Sequence, residues 1–431
     1  MGIKEAVMPF IRNCFLLTVI SLIMLTSCPG GDDNTTKEQL TELIEILQGN
    51  PKKESQWGSL NAYAPNNIGN TFYTDPRTTR TITWQSAINS GEVIIGDNRY
   101  PSTVGEKDGN YYFHRVNITG LVPGNTYRFI AGSSDRYSPI YSFKTENSNY
   151  PNGFSVLHIT DPQIRSSKPN AAIDAKVWKQ VIETAVRKCP DAAFVANTGD
   201  VVDKIEEDRI KYYFDYAQEM LAKYAFIYSL GNNDSLDWYD KYFYITGNRN
   251  VDNSSGVLYS FDYGNTHFVS MNVVFIDFDD DDENSNQGLS AEQMAWLKND
   301  LQTTSKKWKV VMTHKSDFGR KGGNDSKSDI TELFEICNVN LVMAGHYHYY
   351  MRTYPIERFG NPIANGTVYS IPNYAGTKFN PKESTKKYLA VSEQPELPMF
   401  TVFTFTDTHI YLKAYTVDSN GNVVLFDEYV Y

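Results

Sequence analysis

Five short apolar runs in this chain each end on a side chain able to bind a metal ion, and that repetition limits the fold more than any other feature. The endings are Asp161 in HITDPQ, Asp200 in NTGDVVD, Asn232 in LGNND, His314 in VVMTH, and His346 with His348 in AGHYH. The runs before them, residues 154–160, 192–198, 224–230, 308–313 and 339–344, are rich in Val, Ile, Phe and Tyr, as buried parallel strands are. Open α/β sheets bind ligands beyond the carboxyl ends of their strands, so the five loops are expected to converge on one cleft. Imidazoles, two carboxylates and an amide suit borderline divalent metals better than the all-oxygen shells that calcium or magnesium prefer. A shared carboxylate can bridge two ions roughly 3.5–4 Å apart, which clamps the attacking and leaving oxygens of a phosphoryl centre. One segment alone means little, because a His after a strand is more often structural. Five in this order point to a site.

The order and spelling of these segments resemble the calcineurin-like metallophosphoesterases, whose motifs read D-x-(H/G/Q), GD, GN-(H), H and GHxH. The run GHYHYYMRTYP, through His346, His348, Tyr350, Arg352 and Pro355, is similar to the GHxHxYxRxxP run of the purple acid phosphatases. The stretch from Val116, VNITGLVPGNTYRF and then YSPIYSFKT, resembles the small β-sandwich that precedes their catalytic domain. The resemblance covers roughly residues 60–431.

It implies an all-β sandwich of fibronectin type III kind over residues 57–147. An α/β four-layer metallophosphoesterase domain, two packed sheets flanked by helices, would follow over 150–431. Residue patterns agree. Alternation and Gly, Pro and Asn turn signals fill 59–145, with Trp84 and Tyr127 as expected core and His114 as a structural strand residue. Strands then alternate with helices at 171–188, 208–223 and 291–301, the last opened by a Ser290/Gln293 capping box. After Pro398 the pattern returns to strands that complete the catalytic sandwich, with Asn420-Gly421 as a hairpin turn.

Carried over residue by residue, the resemblance implies a dinuclear centre of divalent or trivalent ions (Fe, Zn or Mn). One metal would take Asp161, Asp200 and His348, and the other Asp200, Asn232, His314 and His346. Gln163 either completes the first site or only hydrogen-bonds there. Asp200, Asn232 and Asn233 would be the catalytic group, with a metal-bound hydroxide attacking phosphorus in acid phosphatase or phosphodiesterase fashion. Two departures stand out. Asp203 replaces the Tyr ligand of GDxxY, which puts the ferric state and the purple colour in doubt. Asn233 replaces the His of GNH, and an amide cannot transfer a proton to a leaving oxygen. His158 and His267 are not evident replacements. The rival reading is therefore a catalytically impaired surface lipoprotein that uses the scaffold for binding.

The first 27 residues read as a lipoprotein signal peptide. Lys4 and Arg12 precede an apolar run at 15–25, and Leu25-Thr26-Ser27-Cys28 forms a lipobox. Cys28 would carry the lipid, and residues 28–56 form a tether with a short helix marked by Leu40, Leu43, Ile44 and Leu47. Export to a Gram-negative cell envelope follows, at the outer membrane and touching it through the anchor alone. Cleavage removes Lys4, Arg12 and Glu5 from a chain of formal charge −11, and so acidic a protein without a basic cluster is not built for nucleic acid. The expected partner is a phosphorylated small molecule, or a phosphorylated glycan or lipid. Cys189 and Cys337 read as small buried hydrophobes. The acidic run at 277–283 reads as a solvated loop, and residues 315–327 as a loop that is either mobile or a source of a phosphate-contacting cation.

Overall fold

Strands make up the elements between residues 66 and 144 and alternate with helices from residue 154 onward. The computed structural model describes residues 64–431 apart from 73, 134–135, 148, 166–167, 245–247, 253–255, 273–288, 320–328 and 383–385. The leader, Cys28, the helix expected near Leu40 and the run at 277–283 lie outside the described residues, as does most of the 315–327 loop. Among the described residues no helix is long and apolar enough to cross a membrane.

Nine strands make the sandwich: β1 (Asn66–Thr71), β2 (Arg80–Ser86), β3 (Glu92–Ile95), β4 (Asn98–Pro101), β5 (Thr103–Asp108), β6 (Tyr111–Ile118), β7 (Thr126–Ser133), β8 (Arg136–Tyr137) and β9 (Tyr141–Lys144). One sheet runs β1-β2-β6-β5, the other β4-β3-β7-β8 with β9 on β7. Ile82, Trp84, Val116, Phe129 and Phe143 fill the space between them, with Tyr127 half-buried at its margin. His114 stacks on Trp84 at 4.8 Å and faces Ser86, Ser102 and the Ile88 carbonyl. Burial pushes it down to about 4, so it is a neutral structural residue.

The α/β part contains β10 (Phe154–Ile159), α1 (Lys168–Lys188), β11 (Val195–Asn197), α2 (Glu207–Lys223), β12 (Phe226–Tyr228), α3 (Leu236–Tyr242), β13 (Asn248–Asp252), β14 (Gly256–Tyr263), β15 (Thr266–Asn272) and α4 (Ala291–Thr303). It continues through β16 (Trp308–Thr313), α5 (Asp329–Ile336), β17 (Leu341–Met343), β18 (Tyr350–Thr353), β19 (Val368–Ile371), β20 (Leu389–Glu393), β21 (Met399–Phe405), β22 (Ile410–Val417) and β23 (Val423–Val430). One sheet has the order β12-β11-β10-β21-β22-β23 and the other β13-β14-β15-β16-β17-β19-β18-β20. A single core joins their facing sides, where Val156 and Phe403 of the first sheet meet Phe268, Val310 and Met343 of the second. Trp178 and Phe214 bring α1 and α2 into that core, while Leu297, Leu301 and Leu333 place α4 and α5 on the far face of the second sheet.

The five ligand-bearing strands are therefore shared between two sheets: β10, β11 and β12 pair in parallel in one, and β16 and β17 in the other. Ser290 and Gln293 form the capping box of α4, and Asp418 binds the Asn420 and Asn422 amides in the β22–β23 turn. The far end of GHYHYYMRTYP is a fastening. Tyr350 donates to Asp427 at 2.7 Å and Arg352 donates to the same carboxylate at 2.7 and 3.2 Å, tying β18 to β23. The sandwich docks on α2, where Gln218 exchanges two hydrogen bonds with the Ile68 backbone and Asn70 donates to the Ala222 carbonyl. Cys189 and Cys337 are free thiols.

His267 is more than a strand-core residue. Its ring lies 2.8 Å from Asp262 and 2.9 Å from Asp300, joining the β14–β15 hairpin to α4. Burial disfavours its charge, but the two carboxylates outweigh that and raise it to about 9. A raised His contributes its full stability below its ordinary value of 6.5 and loses it as pH rises through about 9. Thermal melting followed from pH 6 to 10 should therefore fall by a few degrees more for the wild type than for His267→Gln; equal losses would remove this ion triad from the account.

Candidate metal centre

Each ligand candidate lies just past the carboxyl end of its strand, where the chain turns sharply. Asp161, Gln163, Asp200, His346 and His348 all have positive φ, at 51, 41, 53, 75 and 57°. They are five of the ten non-glycine residues in that region among those described, so backbone strain is concentrated here. The turns send side chains from both sheets into one place. Asp161, Asp200 and His314 each bring a ligand atom within 4.8 Å of the others, and all three are buried.

The contacts fix each group's orientation. His314 Nδ1 donates to the Thr198 carbonyl at 2.6 Å, which leaves Nε2 facing Asp200 at 3.4 Å and Asp161 at 3.9 Å. The Thr198 hydroxyl in turn lies 3.0 Å from His158 Nε2. Asp161 meets His348 Nε2 at 3.1 Å and accepts from the His346 amide at 2.9 Å and the Thr160 hydroxyl at 2.5 Å. Asp200 Oδ2 accepts from Gln163 Nε2 at 3.0 Å and Asn233 Nδ2 at 2.6 Å, and Oδ1 accepts from the Asn233 amide at 2.9 Å. The His346 ring stands 5.2 Å from that of His314. Asn232 is exposed in the turn after β12, so the amide that reaches Asp200 is its neighbour's.

The donor set fits a cation. His314 Nε2 and Gln163 Oε1 are buried without a hydrogen-bond partner, which is costly unless something else satisfies them. Burial works against the charge on Asp161, Asp200 and His314. Even so, His314 and His348 hold Asp161 below the usual carboxylate range, and His314 lowers Asp200. In return Asp200 and Asp161 lift His314 to about 9. The field at the centre favours positive charge.

Asp234 is a member of the site that its place in LGNND did not reveal. Burial, and then the charge of Asp200, push it up to about 7. Its Oδ2 accepts from the Asp200 and Gly231 amides, each at 2.7 Å, and from the Tyr239 hydroxyl at 2.9 Å, so it holds two ligand loops together. Asp203 is not among the converging Asp161, Asp200 and His314, and its amide donates to the Ile164 carbonyl at 3.2 Å. Tyr374 is a phenol packed against His348 at 4.6 Å, but its hydroxyl donates to the Gln163 carbonyl at 3.1 Å. A cavity of about 900 Å³ at the sandwich junction, near Arg77, Glu146 and His267, contains none of the ligand candidates.

Residues 154–350 match the calcineurin-like phosphoesterase family, and residues 65–145 match the purple acid phosphatase N-terminal domain. The chain pairs a calcineurin-like phosphoesterase domain with a purple acid phosphatase N-terminal domain. Mouse (Mus musculus) acid phosphatase type 7 is 23% identical over 353 residues, covering 73% of this chain and 76% of its own. Its human (Homo sapiens) counterpart is 22% identical over the same shares. In fold, the chain is similar to a purple acid phosphatase from yellow lupin (Lupinus luteus) seeds, with TM-score 0.65 and 16% identity over 86% of this chain and 75% of that one. The structure of PhoD gives TM-score 0.59 and 12% identity, over 86% and 91%. This purple acid phosphatase-like metallophosphoesterase is a phosphoester hydrolase with a buried Asp-Asp-His metal-binding triad.

Two glycines make the approach of the loops possible. A Cβ on Gly345 would lie 1.9 Å from Thr160 Oγ1 and 2.7 Å from Asp161 Oδ2, and one on Gly231 would lie 2.1 Å from Asp200 Oδ1. Gly345→Ala should therefore push the histidine loop off Asp161 and weaken zinc binding about tenfold or more, measured by calorimetric titration; wild-type affinity would show that the loop has room to spare.

Proposed function

We propose that this phosphoester hydrolase works with a dinuclear metal centre. Asp161, Asp200 and His348, with Gln163 Oε1, would hold one ion; Asp200, His314 and His346 would hold the other, together with Asn232 once its exposed side chain turns inward. Asp200 is the shared ligand. The observation that carries the reading is the buried meeting of Asp161, Asp200 and His314, with His314 Nε2 lacking a hydrogen-bond partner and His348 Nε2 lying 3.1 Å from Asp161. Bound there, the ions supply Lewis acidity and lower the pKa of a coordinated water.

The chain's own groups set the geometry around that chemistry. Thr198 fixes the tautomer of His314, the usual support for a metal-ligating imidazole. Gln163 and Asn233 orient the Asp200 carboxylate with their amide N–H groups, and Asp234 anchors its backbone. Asn233 is thus a donor to Asp200, and as an amide it has no proton to give a departing oxygen. The reaction should accordingly favour esters whose alcohol leaves readily. Asp203 supplies no phenolate, so a colourless zinc, manganese or ferrous form fits this chain better than a ferric one.

The substrate class we propose is a phosphorylated small molecule, or a phosphate on a glycan or lipid of the cell envelope. The name acid phosphatase of the mammalian relatives supports it. The lipobox at Cys28 supports a protein lipid-anchored to a Gram-negative cell envelope.

Protein stripped with chelator and reloaded with zinc or manganese should regain hydrolysis of nitrophenyl phosphate, and no turnover with any metal would sink the catalytic reading. Asn233→His should raise kcat/KM for an alkyl phosphate about tenfold more than for nitrophenyl phosphate, because only the alkoxide needs a proton to leave. An unchanged ratio would mean that protonation does not limit the rate.

A further inference from the structure

We propose that Gln394, Asn380 and Tyr374, which lie outside every metal-binding motif, form a platform that positions the two halves of the metal site. The inference rests on the dinuclear reading above. Its starting point is that Gln163 follows a strand of the first sheet while His346 and His348 follow a strand of the second. Among the described residues no shared ladder fixes these loops against each other, and the histidine loop takes positive φ at both ligands, so something must hold it.

Gln394 is the hub. Its Nε2 donates to the His348 carbonyl at 2.7 Å and to the Asn380 carbonyl at 2.6 Å. Its Oε1 accepts from Asn373 Nδ2 at 2.7 Å and from the Glu396 amide at 3.0 Å. Asn380 grips the same loop twice: its amide donates to the His348 carbonyl and its Nδ2 to the Tyr347 carbonyl, each at 3.1 Å. Tyr374, fully buried, reaches the other sheet. Its ring packs on His348, its hydroxyl donates to the Gln163 carbonyl, and the next amide, of Ala375, donates to the Thr160 carbonyl at 3.1 Å. One stretch of chain thereby staples the loop of Asp161 and Gln163 to the loop of His346 and His348.

These are positioning residues. They touch ligand loops and not the reacting atoms, and supports of this kind are typically worth about 10–100-fold in metal affinity. The ion held through His348 should depend on them more than the ion held through His314, which is anchored separately by Thr198.

Gln394→Glu isolates the donor role. It preserves size and the oxygen that Asn373 and Glu396 use, but it sets an acceptor against the His348 carbonyl. Zinc would be titrated into the full chain and then withdrawn by a chromophoric chelator. The variant should release one of two zinc ions about 10–100-fold more readily than the wild type, while melting in EDTA stays the same. Tyr374→Phe removes only the bond to Gln163 and should shift the same ion in the same direction. Wild-type retention of both ions by both variants would overturn the platform. So would equal weakening of both ions together with a lowered EDTA melting point, which marks a merely structural role. Should Gln394→Glu fail to fold, Tyr374→Phe decides alone. Wild-type protein that takes up no zinc would instead sink the dinuclear reading.

Discussion

Two carboxylates buried at the seam between two sheets are the constraint around which this structure is arranged. Asp161 and Asp200 have 0% and 1% of their surface exposed, and a buried charge is expensive unless it is paired and hydrogen-bonded. The surroundings answer that cost in detail. His314 and His348 face the carboxylates, and amide donors come from Gln163, Asn233 and the His346 backbone. To deliver those groups the chain accepts left-handed turns at five side-chain-bearing residues and glycines at Gly231 and Gly345, where no Cβ fits. Strain, glycines and buried charge occur together because they serve one geometry.

Much of the fold was legible because it rests on local pattern. Apolar β-branched runs ended on ligand residues, and β10, β11, β12, β16 and β17 all fall inside the runs read from sequence. The capping box at Ser290 announced α4, and Asn420-Gly421 announced the final hairpin, because both signals are satisfied within a few residues. What was not legible depends on distance in the chain. The helix α3 carries Trp238, Tyr239 and Tyr242, an aromatic composition that favours strands, and its docking against the core overrides that preference. His267 gives no sign in sequence of the ion triad it forms with Asp300, a residue on another element.

The site shows the same division. Motif spelling identified the loops that meet, yet it could not say which amide of LGNND turns toward Asp200. The turn after β12 answers that question by leaving Asn232 exposed and directing Asn233 inward. It also gives Asp234 a place beneath both loops, where burial and the neighbouring Asp200 charge keep its carboxyl up to about 7. The contribution of Gln394 was invisible for a further reason. Its partners are backbone carbonyls, and side-chain patterns carry no trace of them.

The central claim is that one carboxylate, Asp200, serves both halves of the metal site. Metal content of the purified protein and of Asp200→Ala, measured by plasma mass spectrometry after loading and desalting, tests it most directly. The account predicts about two ions per wild-type chain and the loss of both in the variant, since a shared ligand cannot be removed from one ion alone. A variant that keeps two ions would contradict it.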